Sequence, residues 1–191
     1  MTTFSRLNRG FDILTIKKDF PIFTQVPLEK DSINRELLDT ISDYRNKNPE
    51  SIKTNVNANW RSGWDLHKVS EFERFTKWIC GNFDYVFSYH LGKRYDYSII
   101  DMWAIQYESG DYAQIHDHYP FHFSCVYYVD VEDGCSPIVF ENSIEVKPEN
   151  GLLIIFPSFL DHEVPITEKR RTVVSMNVAI SRDQNLFPRG V

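Results

Sequence analysis

Cysteine is scarce in this chain. The three present, Cys80, Cys125 and Cys135, form an odd count with no paired spacing. That argues against a disulfide framework and for reduced thiols in a cytoplasmic setting. Cys125 lies in an apolar run and reads as a core residue rather than a ligand. Long hydrophobic runs are lacking as well. The longest, GLLIIFP at 151–157, suits a buried strand and falls far short of a membrane span, so no membrane partner is expected. The opening MTTFSRLNRG has no apolar stretch, so no secretory signal is expected. Basic residues are not in excess. A net charge of -6 excludes a general binder of phosphate backbones, and nucleic acid is not an expected partner. Repeats, low-complexity tracts and long linkers are absent too. What remains, 42% hydrophobic and 15% aromatic, supplies a substantial core and excludes disorder. A chain of 191 residues fits a single domain.

The two halves differ in texture. Residues 1–95 read as an N-terminal strand-and-helix elaboration. FDILTIKKDFPIFTQVPL suggests a strand and then an extended segment broken by Pro21 and Pro27. Ile33, Leu37, Leu38 and Ile41 recur at helical spacing, which predicts a helix from Asp31 or Ser32 to Asn48, the residue before Pro49. NVNANWRSGWDLH reads as a loop anchored in the core by Trp60 and Trp64. A second helix is predicted over roughly 69–91, with Phe72, Phe75, Ile79, Phe83 and Val86 as its apolar stripe. Residues 96–181 read as the core. Eight short β-rich runs follow one another there: SIIDMWAIQYE, YAQIHDHY, FSCVYYVDV, SPIVFEN, SIEVKP, GLLIIFP, HEVPIT and RTVVSMNVAI. Glycines and prolines separate them. Such spacing means a barrel or sandwich. The expected fold is mainly β with flanking helices, on a double-stranded β-helix (jelly-roll, cupin-like) core, with both helices outside one sheet.

Three histidines stand out. His116 and His118 lie two apart in GDYAQIHDHYP, and His162 lies 44 residues later in FPSFLDHEV. Residues i and i+2 of a strand point to one face, roughly 7 Å apart at Cα, so both imidazoles can reach one metal at about 2.1 Å. A close pair with a distant third ligand leaves positions open to substrate, as in a catalytic metal site. His67 and His90 read as surface or structural, and His122 as a surface or hydrogen-bonding residue. Asp117 and Asp161 alternate to the opposite face, and Glu141 is a remote substitute ligand.

In these segments the chain resembles the Fe(II)/2-oxoglutarate-dependent dioxygenases, in particular the prolyl 4-hydroxylase-like branch. Tyr107, Gly110, His116 and position 118 fall at that branch's spacing, and His162 matches its distal histidine. Arg171 matches its binder of the far carboxylate of 2-oxoglutarate. An uncharacterised bacterial and phage branch is similar over about residues 97–180. It shares Trp103, the segment Gly110–Tyr112, His116 with His118, the strand Val126–Val129, the run Gly151–His162, and Arg171 with Asn177. The resemblance implies an oxidoreductase of the hydroxylase type. It would use Fe(II), O2 and 2-oxoglutarate, and release succinate and CO2. His116, His118 and His162 would hold the metal. Tyr107, Arg171, Ser175, Asn177 and Tyr128 would line the co-substrate site, Tyr107 donating a second hydrogen bond to the carboxylate.

The departure is His118, where most of that superfamily carries aspartate. Three neutral imidazoles leave the ion its full double charge, and all three compete with protons near pH 6.5. His118 is either the third ligand or leaves its position to water. The same spacings also satisfy cupin motifs: Gly110 with His116 and His118, then Gly151, Pro157 and His162. A cupin-type three-His dioxygenase that needs no 2-oxoglutarate is therefore the alternative, and a metal-binding module on a degenerate oxygenase fold is a third reading. The substrate, small molecule or peptide, would be set by residues 50–68, residues 119–123 and the C-terminal tail. Oligomeric state is left open.

Overall fold

The computed structural model describes residues 3–6, 12–15 and 19–181, so the C-terminal tail lies outside the described residues. All eight β-rich runs form strands, and the first half adds five short ones. In chain order, β1 (Thr3–Arg6) and β2 (Asp12–Thr15) pair as an antiparallel hairpin. They are followed by β3 (Phe23–Gln25), α1 (Lys30–Lys47), β4 (Val56–Asn57), β5 (Trp60–Arg61) and α2 (Glu73–Tyr85). The core contributes β6 (Tyr97–Tyr107), β7 (Tyr112–His116), β8 (Phe123–Val131), β9 (Ile138–Phe140), β10 (Ile144–Val146), β11 (Leu153–Pro157), β12 (His162–Val164) and β13 (Arg171–Ile180). A six-stranded sheet runs β3-β11-β8-β13-β6-β5, and a five-stranded sheet runs β10-β9-β12-β7-β4. From β6 onward the chain passes back and forth between them, which builds a double-stranded β-helix.

Side-chain alternation on β8 shows how one sheet serves two cores. Cys125, Tyr127 and Val129 pack with α1 and α2, against Leu37, Ile41, Phe75 and Ile79. Val126 and Tyr128 face the other way, with Phe140, Phe156 and Val173, between the two sheets. Both helices thus lie on one face of the six-stranded sheet, as expected. No helix among the described residues is long and apolar enough to cross a membrane.

The predicted α1 is observed. Asn48 leaves the helical region (φ -132, ψ 69) under the constraint of Pro49. Ser32 does not cap it; its hydroxyl donates to Glu29 O at 3.0 Å. The second helix is shorter than 69–91. Two 3-10 turns, Leu66–Lys68 and Ser70–Phe72, precede α2, because Val69 between them is extended (φ -87, ψ 125). A π-turn, Val86–His90, follows it. The wider turn brings the adjacent Val86 and Phe87 both into the core.

Gly151 fixes where α1 begins on the sheet. Its φ is +85, and a Cβ there would lie 2.5 Å from Lys30 Cβ. Its N–H donates to Tyr128 O at 2.8 Å, so the backbone cannot back away without losing a sheet contact. Gly151→Ala is expected to cost about 2 kcal/mol or more from the left-handed backbone and the clash together, read as a lower urea midpoint. An unchanged midpoint would show that Lys30 simply moves aside.

Candidate metal centre

The site begins with strand register. β12 lies between β7 and β9, and pairs His162 directly with His116. Their ring centroids are 4.3 Å apart. His118 does not share that strand, because β7 ends at His116. It sits in the connection to β8, where its N–H donates to Ser158 O at 2.7 Å. Its ring still turns inward, with its centroid 5.1 Å from that of His116 and 5.0 Å from that of His162. One ring nitrogen from each histidine lies within 4.8 Å of the others. Three nitrogens at about 2.1 Å around one ion lie roughly 3.0–3.4 Å apart, so the rings converge on a common point and a small inward turn would complete the set. No carboxylate belongs to this cluster among the described residues. Glu141 is turned away, its Oε1 accepting the Asp161 N–H at 2.9 Å.

Two of the rings have a fixed tautomer. His116 Nδ1 lies 2.6 Å from Gln114 O, and His162 Nδ1 lies 3.0 Å from Leu160 O. A carbonyl can only accept, so each Nδ1 carries the proton and each Nε2 presents a lone pair to the centre. Neutral imidazoles held this way fit a borderline divalent transition metal such as Fe(II) or Zn(II).

Burial also keeps the rings neutral. It pushes the His116 imidazole below its ordinary value. It takes His162 down to about 4, with the facing His116 adding to the effect. His118 falls to about 2, through burial first and then His162, His116 and Arg61. Competition with protons therefore sets in below the expected pH 6.5, because the folded pocket already excludes the charged forms. The unfolded chain takes up these protons near pH 6.5, so folding stability falls as pH drops below that value. His162 alone accounts for about 3 kcal/mol between pH 6.5 and 4. Thermal melts of metal-free protein are expected to show this acid loss, with His162→Ala reducing it. A flat profile down to pH 4 would contradict the neutral triad.

A narrow cavity of about 60 Å³ runs inward from the triad between the sheets, and Tyr107, Tyr128, Arg171 and Ser175 line it. Arg171 is 1% exposed. Its Nη1 donates to Ser136 O at 2.8 Å, and its buried Nε has no partner. Its Cζ lies 4.5 Å from the Tyr107 ring centre and 5.9 Å from that of Tyr128. No carboxylate pairs with it among the described residues. Its neighbour Arg170 is half exposed and lies 3.4 Å from Glu132. Burial pushes the Tyr107 phenol up, and that of Tyr128 up to about 12, so both remain hydrogen-bond donors. Tyr127 belongs to the opposite face, its hydroxyl donating to Asn34 Oδ1 at 2.7 Å.

Asn177 is separated from these residues. It lines a second pocket on the outer side of the triad. Its Oδ1 accepts from Ser124 Oγ at 2.8 Å, and its Nδ2 donates to Asp101 Oδ2 at 3.1 Å. Ser124 Oγ also lies 2.7 Å from Ser158 Oγ. Since the Ser124 proton is directed to Asn177, Ser158 is the donor in that pair. Because Ser158 O holds the His118 N–H, this network braces the connection that carries His118. His122 serves the same segment, its Nδ1 accepting the Ile180 N–H at 3.1 Å.

Two outer-pocket residues depart from the sequence reading. Trp64 is not a core anchor: it is 41% exposed, whereas Trp60 is buried. Arg61, which sequence reasoning missed, is buried beside it and lines the outer pocket with Trp64, Trp103 and His118. A cation flanked by aromatics in NWRSGW was the available signal. Asp117 reaches the same pocket.

No protein-family model matches this sequence, and no curated protein is similar to it in sequence. Solved structures share its fold. A prolyl hydroxylase from Trichoplax adhaerens, in complex with a peptide fragment of the hypoxia inducible factor oxygen degradation domain, matches with a TM-score of 0.65 at 14% identity, over 88% of this chain and 87% of that one. The viral collagen prolyl hydroxylase of Paramecium bursaria Chlorella virus 1, in its 2OG complex, gives 0.61 at 15% identity, over 82% and 94%. A Pseudomonas putida prolyl-4-hydroxylase gives 0.60 at 14% identity, over 84% and 92%. Identities this low speak for the fold, which is the expected double-stranded β-helix.

Proposed function

We propose that this chain is an Fe(II)- and 2-oxoglutarate-dependent oxygenase that hydroxylates a small-molecule or peptide substrate. In this reading residues 96–181 are the catalytic core of a single domain, and residues 1–95 are its elaboration. The observation that carries the reading is Arg171, a buried guanidinium without an acidic partner among the described residues, in the same cavity as three converging imidazoles. A charge so placed is costly unless an anion completes it. A guanidinium fits a carboxylate bidentately and stays charged.

Each side chain then has a task. His116 and His162, with Nδ1 anchored, offer Nε2 to the metal, and His118 closes the set. Arg171 binds the far carboxylate of the co-substrate, and the Tyr107 hydroxyl gives a second donor. Tyr128 and Ser175 line its path. Val126, Phe156 and Val173 exclude water from the cavity. When bound, Fe(II) supplies the oxidising chemistry, consuming O2 and 2-oxoglutarate and releasing succinate and CO2.

The cluster without a carboxylate also favours the cupin-type three-His dioxygenase as a second reading. Anaerobic titration separates the two. Protein loaded with Fe(II) is expected to bind 2-oxoglutarate saturably with a visible charge-transfer band, and metal-free protein to bind it far more weakly. On admitting air, succinate should accumulate. Iron bound with neither band nor succinate would sink the 2-oxoglutarate reading in favour of the cupin one.

A further inference from the structure

The outer pocket holds a second buried cation, one with no task in the oxygenase chemistry. Arg61 is 4% exposed and belongs to a two-residue strand at the edge of the six-stranded sheet. Its backbone is fixed: its N–H donates to Ser51 Oγ at 3.1 Å, and its carbonyl accepts from Ile52 at 3.0 Å. Its side chain is held between two indoles, with Cζ 4.3 Å from the Trp64 ring centre and 5.1 Å from that of Trp103. Nη1 donates to the neighbouring Ser62 O at 2.9 Å, and the buried Nε has no partner. Burial lowers this guanidinium to about 10, which still leaves it cationic at neutral pH. No carboxylate forms an ion pair with it among the described residues; Asp101, held by Asn177, favours its charged form only from beyond ion-pair distance.

We propose that Arg61, held between Trp64 and Trp103, is the recognition point for a single carboxylate on the substrate. The position suits that role. The Trp103 ring centre is 5.7 Å from that of His118, so a group seated on Arg61 lies beside the triad. The pocket of about 340 Å³ is in the size range of small-ligand sites, and it opens past the half-exposed Trp64. Indole faces offset part of the cost of burying the guanidinium, but they take none of its in-plane donors, of which Nη1 meets Ser62 O and Nε meets nothing. Those donors match a planar carboxylate. Asp117, in the same pocket with its Oδ1 holding the Tyr119 N–H at 3.0 Å, sets a negative charge against any second charge on the ligand. That selects a monoanionic carboxylate over a phosphate dianion. The inference deepens the oxygenase reading and rests on it for the word substrate; the binding itself does not.

The test uses matched probes on the full-length protein: several N-acetyl amino acids, each against its primary amide, followed by tryptophan emission because two indoles flank the site. At least one carboxylate is expected to bind about tenfold tighter than its amide, the size of a lost charge-assisted hydrogen bond. Arg61→Gln should erase that preference, and Arg171→Gln should leave it intact. No preference in any pair, or a preference that survives Arg61→Gln, overturns the proposal. A preference lost only in Arg171→Gln overturns it too, since the anion would then sit in the inner cavity. Should the glutamine variant fail to fold, Arg61→Lys carries the test: severalfold weaker binding is expected, and unchanged affinity refutes a planar contact. Success here with no 2-oxoglutarate binding would leave the carboxylate pocket standing and remove only the oxygenase reading.

Discussion

Arg171→Gln is expected to weaken 2-oxoglutarate binding by about a hundredfold or more while leaving metal affinity unchanged. The first effect follows from burial. Arg171 is 1% exposed, and removing one member of a desolvated charge pair costs roughly 2–5 kcal/mol, a factor of about thirty to several thousand. The second follows from the site's composition, since the guanidinium lines the cavity but does not belong to the histidine cluster. A third effect runs the opposite way to intuition. Without its anion the guanidinium is a buried, unpaired charge, held by one hydrogen bond to Ser136 O and by the Tyr107 and Tyr128 rings. Those ring contacts are worth about 0.5–2 kcal/mol each, against several for burying the charge. Glutamine keeps a donor for Ser136 without the charge. The metal-free variant is therefore expected to melt a few degrees higher than the parent, even as it loses its co-substrate. Calorimetry with 2-oxoglutarate and a thermal melt read both quantities. Undiminished 2-oxoglutarate affinity would remove Arg171 from the co-substrate site. Lower affinity with a lower melting temperature would mean that the residue is a structural strut first.

The core strands were legible because each run carries β-rich residues between glycine or proline breaks, so RTVVSMNVAI and FSCVYYVDV announce both their state and their faces. Alternation placed Arg171 and Ser175 on one face of β13, and both line the inner cavity. The same parity put Asn177 with them. The pocket divides that face, however, and Asn177 lies on the outer side of the triad. The i, i+2 rule gathered His116 and His118 for a reason the structure does not keep. The strand stops at His116, and His118 reaches the centre from a connection clamped to Ser158. Sequence periodicity cannot report where pairing ends, because that is decided by the neighbouring strand. The first half was less readable for the same reason. β4 and β5 are two residues long and exist only as partners of β7 and β6. The flanking Trp60 and Trp64 in NWRSGW hint at a sheltered cation, but its burial is decided only when β6 brings Trp103 over Arg61.

His162→Ala is expected to weaken metal binding a few hundredfold, and His118→Ala to weaken it far less. Structural zinc sites with four protein ligands carry about 10–16 kcal/mol, so one ligand is worth roughly 3–4 kcal/mol, or a few hundredfold in affinity. That full value requires a ligand already aimed at the ion. His116 and His162 meet the condition, being opposed across a strand pair with each Nδ1 tied to a backbone carbonyl. His118 meets half of it. Its backbone is fixed by Ser158, but its ring makes no hydrogen bond among the described residues and rests between Trp103 and Phe156. An imidazole without an orienting partner gives up about tenfold or more in metal affinity, so the His118 variant has correspondingly less to lose. Competitive titration with a chelating dye ranks the three alanine variants directly. Equal losses at all three positions would make His118 a ligand of the same strength as the strand-borne pair. Undiminished metal affinity in His162→Ala would place the ion elsewhere. Acid stability supplies a check that involves no metal. A His162→Ala chain lacks the ring that burial holds neutral down to about 4, so its metal-free form should lose less stability between pH 6.5 and 5 than the parent does. A site assembled for a cation must keep its imidazoles unprotonated before the cation arrives, and the stability surrendered in acid measures that preorganisation.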